Sequence, residues 1–269
     1  MSTNTKLITK RIVKLPKRRP NSRKGDNGRV LIIGGSPGYI GAPALAGIAA
    51  MRSGADSVIV AAPEKVAWAV NTLSADLMTR KLPGPRLTIK HYNLIKPLLK
   101  KTDCLLIGSG IAERSESLSL IKKITQEYTG YKILDAAALV SFSKAKLKQA
   151  ILTPNFREYT RLKKYCQLQS IIERGNIVIK KGPKAKIYSH RGVYENKTGN
   201  AGLTKAGTGD VLAGLTAGYL AQSHDLLQSA INAVYYLGQL AEVLRNQKKG
   251  YTFLASDLAE ELKRLKNNF

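Results

Sequence analysis

The stretch Asn200–Gly214, NAGLTKAGTGDVLAG, decides how the rest of this chain is interpreted. Gly207 and Gly209 enclose Thr208. Asp210 follows, and apolar residues then recur at helical spacing. A glycine turn that opens a helix leaves backbone N–H groups without partners, and the helix dipole adds to their attraction for phosphate. A carboxylate there is poorly placed to bind phosphate, but it can take a proton from a hydroxyl that attacks the phosphate. The stretch therefore predicts a phosphate site with Asp210 as base, against the simpler alternative of a strand-to-helix turn capped by Asp210.

Upstream of this turn, short apolar runs alternate with helical patterns, which is typical of a parallel sheet covered on both faces. Ligands of such sheets bind outside the carboxyl ends of the strands. The runs that predict these strands are Arg29–Ile33, Ser57–Ala61, Asp103–Ile107, Lys132–Asp135 and Ala150–Thr153.

The later part of the chain has a different pattern. Three closely spaced strands predict an antiparallel edge of the sheet, and three helices close the chain. The predicted strands are Asn176–Lys180, Ala185–Ser189 and Val193–Glu195, and the predicted helices are Asp210–Gln222, Asp225–Gln247 and Ala255–Lys266. We expect a basic N-terminal arm over residues 1–24 and a single α/β domain over residues 25–269.

The charge of the chain is strongly basic. Lys and Arg number 44 against 18 acidic residues, for a formal net charge of +26, and Lys10–Lys24 carries many of the cations. Both a nucleic-acid-binding protein and an enzyme of anionic substrates fit this balance. Aromatic residues make up only 6% of the chain, and no helix-turn-helix or zinc-finger pattern occurs.

No apolar run is long enough for a membrane span, and the separated Cys104 and Cys166 suggest a reduced, cytoplasmic protein.

Several familiar site patterns are missing from the sequence. Gly35, Gly38 and Gly41 are spaced three apart, so they do not form the dinucleotide-binding fingerprint. No Gly-Lys pair supplies a Walker A loop, and the three histidines are too scattered for a metal site. Asp135 fits either a structural role or a metal and water network, and Glu158 fits either an acid of a helix first turn or a partner of the site.

A family resemblance covers the chain from about Leu15 to its C-terminus. It rests on six motifs: KGDNGRVLIIGGSPGYIGAPALAGIAAMRSGADSVIVAAPE, LLIGSGI, ILDAAAL, ILTPNFREYTRL, IVIKKG and NAGLTKAGTGDVLAG. Together they resemble the ADP- or ATP-dependent NAD(P)H-hydrate dehydratases of the ribokinase-like superfamily. The resemblance implies a three-layer α/β/α sandwich with a mainly parallel sheet. It also implies removal of water from the S epimer of hydrated NADH or NADPH (NADHX or NADPHX), a repair reaction driven by ADP or ATP with Mg²⁺.

The resemblance also implies roles for individual residues. Asp210 would act on the substrate hydroxyl as the catalytic base. The nucleotide would contact Lys181, Gly182, Pro183, Lys184, Ala185, Gly207, Thr208 and Gly209, and the hydrated dinucleotide would contact Ala42, Gly110, Asn155 and Asp210. No protein ligand to a metal is predicted. We further expect a homo-oligomer and a separate epimerase chain, and the resemblance makes a dedicated nucleic-acid tail less favoured.

This sequence departs from the family pattern at three places. Asn155 stands where the family usually has a histidine, and Pro183-Lys184-Ala185 replaces small polar residues. Few residues separate Leu162 from Ile177, so a family helix there is shortened or missing. Two other functions stay open at this point: a ribokinase-like kinase of a vitamin precursor or sugar, and a basic nucleic-acid-binding protein on the same scaffold.

Overall fold

A ten-stranded sheet runs through the computed structural model, which describes residues 5–144, 147–247 and 250–264. Its order is β1-β10-β9-β8-β7-β6-β5-β2-β3-β4, and all neighbours are parallel except β8–β9 and β9–β10. The strands are Thr5–Leu7 (β1), Arg29–Ile33 (β2), Ser57–Pro63 (β3), Met78–Leu82 (β4), Cys104–Ile107 (β5), Tyr131–Leu134 (β6), Ala150–Leu152 (β7), Ile177–Lys180 (β8), Lys186–Ser189 (β9) and Gly192–Glu195 (β10).

Helices cover both faces of the sheet. Along β2, Val30 and Ile32 pack into one buried cluster, whereas Leu31 and Ile33 pack into a second on the opposite face, as expected from the alternation of side chains along a strand. The predicted three-layer α/β/α sandwich with an antiparallel edge is confirmed. The helices are Gly41–Arg52 (α1), Glu64–Leu73 (α2), Tyr92–Leu99 (α3), Ser115–Glu127 (α4), Phe156–Tyr165 (α5), Leu168–Glu173 (α6), Thr208–Ser223 (α7), Leu226–Gln247 (α8) and Ala255–Glu261 (α9).

Helix α7 lies at the centre of the helical layer that packs on Val30 and Ile32. Twelve of its sixteen residues are buried, so it has no polar face, as expected for a helix enclosed by its neighbours. It packs closely on α1 because Gly214 has no side chain: a Cβ there would overlap the carbonyl oxygen of Ala46. This contact brings the N-termini of α1 and α7 to the same end of the sheet, where the parallel strands end.

The structure differs from the sequence prediction mainly at the edges of the sheet. Within the predicted basic arm, β1 pairs with β10 and extends the sheet. Neither β4 nor α3 was predicted, because MTRKL of β4 is mostly polar and α3 contains Pro97.

The last predicted helix ends at Glu261 and is followed by a 3₁₀ turn, and its predicted end lies outside the described residues. Between Leu162 and Ile177, α5 continues to Tyr165 and the six-residue α6 follows it. Among the described helices, none has the length and apolar character needed to span a membrane.

Candidate active site

Four polar residues directly follow four neighbouring strands and meet at the carboxyl end of the sheet. Ser109 comes shortly after β5, Asp135 after β6, Thr153 after β7 and Lys181 after β8. Because these strands are parallel neighbours, residues far apart in the sequence lie side by side here. Asp210 reaches the same place from the first turn of α7.

Asp135 lies at the centre of this cluster of polar residues. The residue is only 3% exposed, and its carboxylate accepts hydrogen bonds from Thr153 Oγ1 at 2.6 Å, Lys181 Nζ at 3.0 Å and Ser109 Oγ at 3.2 Å. A buried carboxylate needs such partners to remain charged. Asp135 forms an ion pair with Lys181. The sequence did not predict this pair, because the two residues come together only in the folded chain.

The N-terminus of α7 forms the predicted glycine turn. Gly207 adopts φ +88°, a left-handed conformation that favours glycine, and Asp210 is the third residue of the helix. The N–H groups of Gly207, Gly209 and Asp210 have no acceptor within the described part of the chain. The N–H of Thr208, in contrast, donates to the carbonyl of Lys205 at 3.3 Å. Unpaired N–H groups at a helix N-terminus form an anion site.

Thr208 holds the turn together through its side chain. Its hydroxyl lies 2.7 Å from the carbonyl oxygen of Leu203 and 2.8 Å from that of Lys205. The side chain is therefore directed into the loop. Thr208 belongs to the predicted nucleotide-binding set, and that role stays a prediction.

Lys181 places its ammonium between the carboxylates and the glycine turn. Nζ lies 4.0 Å from Glu158 Oε2 and 3.3 Å from the point where a Cβ on Gly209 would lie. Burial acts to lower the pKa of Lys181, but the charges of Asp135 and Glu158 outweigh it and raise the pKa. Lys181 is therefore a fixed cation beside the predicted phosphate site.

Asp210 has the electrostatic character of a general base. Burial first, and the negative charge of Asp135 second, raise the pKa of its carboxyl from 3.8 to about 7, although the charge of Lys181 and the polar Ser109 side chain act in the opposite direction. A base whose pKa lies near the working pH combines a useful ionised fraction with a strong affinity for the proton. Burial also raises the pKa of Glu158.

The glycine-rich loop before α1 packs against the loop after β5. The Gly35 N–H donates to the carbonyl of Ser109 at 2.9 Å, and Ser36 Oγ donates to the carbonyl of Gly110 at 2.8 Å. A Cβ on Gly110 would lie 3.0 Å from the Cβ of Ala42. The structure therefore brings together Ala42 and Gly110, two of the residues predicted to bind the hydrated dinucleotide.

Asn155 caps the N-terminus of α5. Its Oδ1 accepts the Glu158 N–H at 2.9 Å, and Glu158 Oε2 accepts the Asn155 N–H at 2.7 Å. This reciprocal capping box fixes both side chains. Asn155 is exposed near Lys181, and its contact with the hydrated dinucleotide stays a prediction.

The remaining predicted nucleotide residues lie in the turn between β8 and β9. Gly182, Pro183 and Lys184 are exposed there, and Ala185 is half-buried. Sequence reasoning did not assign a site role to Ser109 or Thr153. The signal that could have found them is their position: each is a polar residue shortly after a fully buried parallel strand.

Comparisons with known proteins agree with this arrangement. A sequence model described as NAD(P)H-hydrate dehydratase matches residues 30–264, and the chain belongs to that family. It is 34% identical over 275 residues to the ADP-dependent (S)-NAD(P)H-hydrate dehydratase of Nitrosopumilus maritimus, covering 96% of this chain and 95% of the relative. Among solved structures, the ADP/ATP-dependent NAD(P)H-hydrate dehydratase of Bacillus subtilis, co-crystallised with ATP and Mg²⁺, matches with a TM-score of 0.79, 27% identity and 97% of each chain.

A second solved structure shows the same fold. A ribokinase-like superfamily protein from Enterococcus faecalis matches with a TM-score of 0.83 and 24% identity, covering 96% of this chain and 94% of its own. Other curated relatives are bifunctional NAD(P)H-hydrate repair enzymes. The chain spans about half the length of those relatives, 50–52% of each.

Proposed function

We propose that the protein removes water from the S epimer of NADHX or NADPHX and drives this step with ADP or ATP. The observation that carries the proposal is the Asp210 carboxyl, with a pKa of about 7, beside the unpaired N–H groups that begin α7. Membership of the NAD(P)H-hydrate dehydratase family supports the choice of substrate. The geometry supplies the two elements that phosphorylation of a hydroxyl requires, which are a base and an anion site.

The hydroxyl of the hydrated ring is a poor leaving group, and phosphorylation makes it a good one. In the proposed first step, Asp210 takes the hydroxyl proton while the oxygen bonds to the terminal phosphorus of ADP or ATP, and the bond from that phosphorus to the AMP or ADP oxygen breaks. The N–H groups of Gly207 and Gly209, together with Lys181, stabilise the charge that develops on the phosphoryl oxygens.

The second step expels phosphate. The lone pair of the ring nitrogen displaces the phosphorylated oxygen, and a proton leaves the adjacent ring carbon, which restores the double bond of NADH or NADPH. The products are NAD(P)H, inorganic phosphate, and AMP or ADP. Asp135 and Thr153 are too buried to contact the ring, so their part is to hold Lys181 and to tune the base.

The residues present fit a Mg²⁺ ion that arrives with the nucleotide. No cluster of three metal-binding side chains exists among the residues that the structure describes, and Mg²⁺ on nucleotides is held mainly by phosphates with one or two carboxylates. Glu158 is the acid we propose for that contact. When bound, the ion would neutralise phosphate charge.

Recovery of NADH absorbance from NADHX tests the proposal. We expect recovery with ADP or ATP and release of one phosphate per NADH formed. A ribokinase-like kinase would instead leave a stable phosphorylated product and regenerate no NADH. If neither nucleotide supports recovery by the full chain, the proposal is wrong. Homo-oligomerisation, a cytoplasmic location and a separate epimerase stay predictions from the sequence.

A further inference from the structure

The dehydration chemistry proposed above uses one cation, Lys181, whereas an exposed surface formed by the N-terminal segment and the β9–β10 turn carries nine others. We define this surface, the basic face, by nine exposed cationic side chains. They are Lys6, Lys10, Arg11, Lys14, Lys17, Arg19, Arg23, Lys24 and Arg191. Within residues 5–144, 147–247 and 250–264, none of the nine lies within salt-bridge distance of an acid. Their charge is therefore uncompensated.

The segment that carries the basic face is fixed to the domain. Asn232, fully buried on α8, accepts the Lys14 N–H at 3.1 Å and donates to the Lys14 carbonyl at 2.7 Å. Gln228 Nε2 donates to the carbonyl of Ile12 at 3.0 Å, and Arg18 donates to Asp56 at 2.6 Å. A tail that served only for solubility would not require these anchors. The cations are instead held in defined positions.

The anchors also show how far the segment extends. It begins beside the edge strand β1, and at Arg18 it reaches Asp56, which directly precedes β3. Eight strand spacings separate β1 from β3 in the sheet, which corresponds to roughly 38 Å along the sheet. That is about the length of one turn of a DNA duplex. One compact anion cannot contact cations spread over this distance, whereas a chain of phosphates can.

Part of the basic face lines a cavity of about 380 Å³. Lys6, Arg11, Lys14 and Arg191 contribute four positive charges to it, and Asp225 contributes the single negative one. The Asp225 carboxylate is engaged in capping α8, since Oδ1 accepts the Gln228 N–H at 3.0 Å. The cavity is thus strongly positive and suits a phosphate group.

The basic face lies away from the catalytic centre. His224 at the C-terminal end of α7 stacks on Tyr131 at the amino end of β6, so α8 begins at the end of the sheet opposite Asp210. The fourteen residues of helix from Asp210 to His224 correspond to about 21 Å. A polyanion on this face would leave the Asp210 site open.

We propose that the basic face binds the phosphate backbone of a nucleic acid, as a function separate from cofactor repair. The sequence has no helix-turn-helix or zinc-finger pattern, which favours contact with the backbone over reading of the base sequence. If about five of the nine cations contact phosphates of a duplex, the affinity falls roughly 500-fold between about 50 and 200 mM salt.

Fluorescence anisotropy of the full chain with a labelled RNA and a labelled DNA duplex, each about one to two helical turns long, measures this. The test variant combines Lys10→Gln, Arg11→Gln, Lys14→Gln and Lys17→Gln. The matched control removes the same charge elsewhere, with Lys90→Gln, Lys96→Gln, Lys100→Gln and Lys101→Gln on exposed positions around α3. Thermal unfolding of both variants verifies that each is folded.

We expect the test variant to bind at least tenfold more weakly and its salt dependence to decrease by about one phosphate contact for each lysine or arginine removed. The control variant should bind within about threefold of the wild type. Equal losses in both variants would show that net charge alone acts and would overturn the proposal. So would displacement of the nucleic acid by micromolar ATP, or tighter binding to phosphatidylserine vesicles than to RNA or DNA.

Discussion

Replacing Asp210 by Asn removes the carboxylate and leaves a side chain of nearly the same shape. Without the base, we expect turnover of NADHX to fall by about 10²–10⁴, or roughly 3–5 kcal/mol of transition-state stabilisation. The N–H groups that begin α7 are backbone groups, so the affinity for ADP or ATP should change by less than about threefold. Asp76→Asn is a matched control, because Asp76 is an exposed acid that does not belong to the site formed by Asp135, Glu158 and Asp210.

The pH dependence of the wild-type enzyme adds a second test of the same residue. With a pKa of about 7, Asp210 is about one-tenth ionised at pH 6 and about one-hundredth at pH 5. We therefore expect kcat/KM to fall about tenfold for each pH unit below 7, and the residual activity of Asp210→Asn to lack this limb. Initial rates of NADH formation between about pH 5 and pH 8.5 measure both.

The same pKa predicts an effect on stability. Its rise from 3.8 to about 7 on folding corresponds to on the order of 4 kcal/mol. Because the folded-state pKa is the higher one, this stability is fully present below about pH 3.8 and is lost as the pH rises through 7. Asp210→Asn avoids that loss, so its free energy of unfolding at pH 8 should exceed that of the wild type by about 1–3 kcal/mol, and the difference should nearly vanish at pH 4.

Two results would refute the assignment of the base. One is turnover of Asp210→Asn within about twofold of the wild type. The other is a variant that still shows the full acid limb of the wild-type pH profile. Denaturation in guanidinium at pH 4 and pH 8 separates a loss of chemistry from a loss of folding, since the variant should be the more stable protein at the higher pH.

Three further changes probe the surroundings of the site. Lys181→Met removes a cation that lowers the pKa of Asp210, so the acid limb of kcat/KM should move to higher pH; an unchanged limb would contradict the electrostatic account. Gly214→Ala forces a Cβ onto the Ala46 carbonyl and should lower the free energy of unfolding by about 1–3 kcal/mol or more, measured in guanidinium. Asn155→Ala removes the α5 cap and should cost about 1 kcal/mol, whereas Asn155→Ser, which can still cap, should unfold at nearly the wild-type midpoint.

Local patterns in the sequence were sufficient for the inner parallel strands, the central helix and the glycine turn. The run from Arg29 to Ile33 is apolar throughout because both faces of that strand are covered. Edge elements were harder to predict. The residues of β1 and much of β4 face solvent, so the apolar signal that marks a buried strand is missing from them.

By itself, the sequence determined that a carboxylate at Asp210 follows a glycine turn at the start of a helix and predicted that this turn binds phosphate, since turn geometry and helix opening depend on adjacent residues only. The tertiary structure decided what that carboxylate is able to do. Its pKa depends on burial and on Asp135 and Lys181, which come from two different strands and lie 46 residues apart. The anchoring of Lys14 by Asn232, across 218 residues, is likewise a property of the fold. Charges and hydrogen-bond partners act through space, and only the folded chain sets those distances.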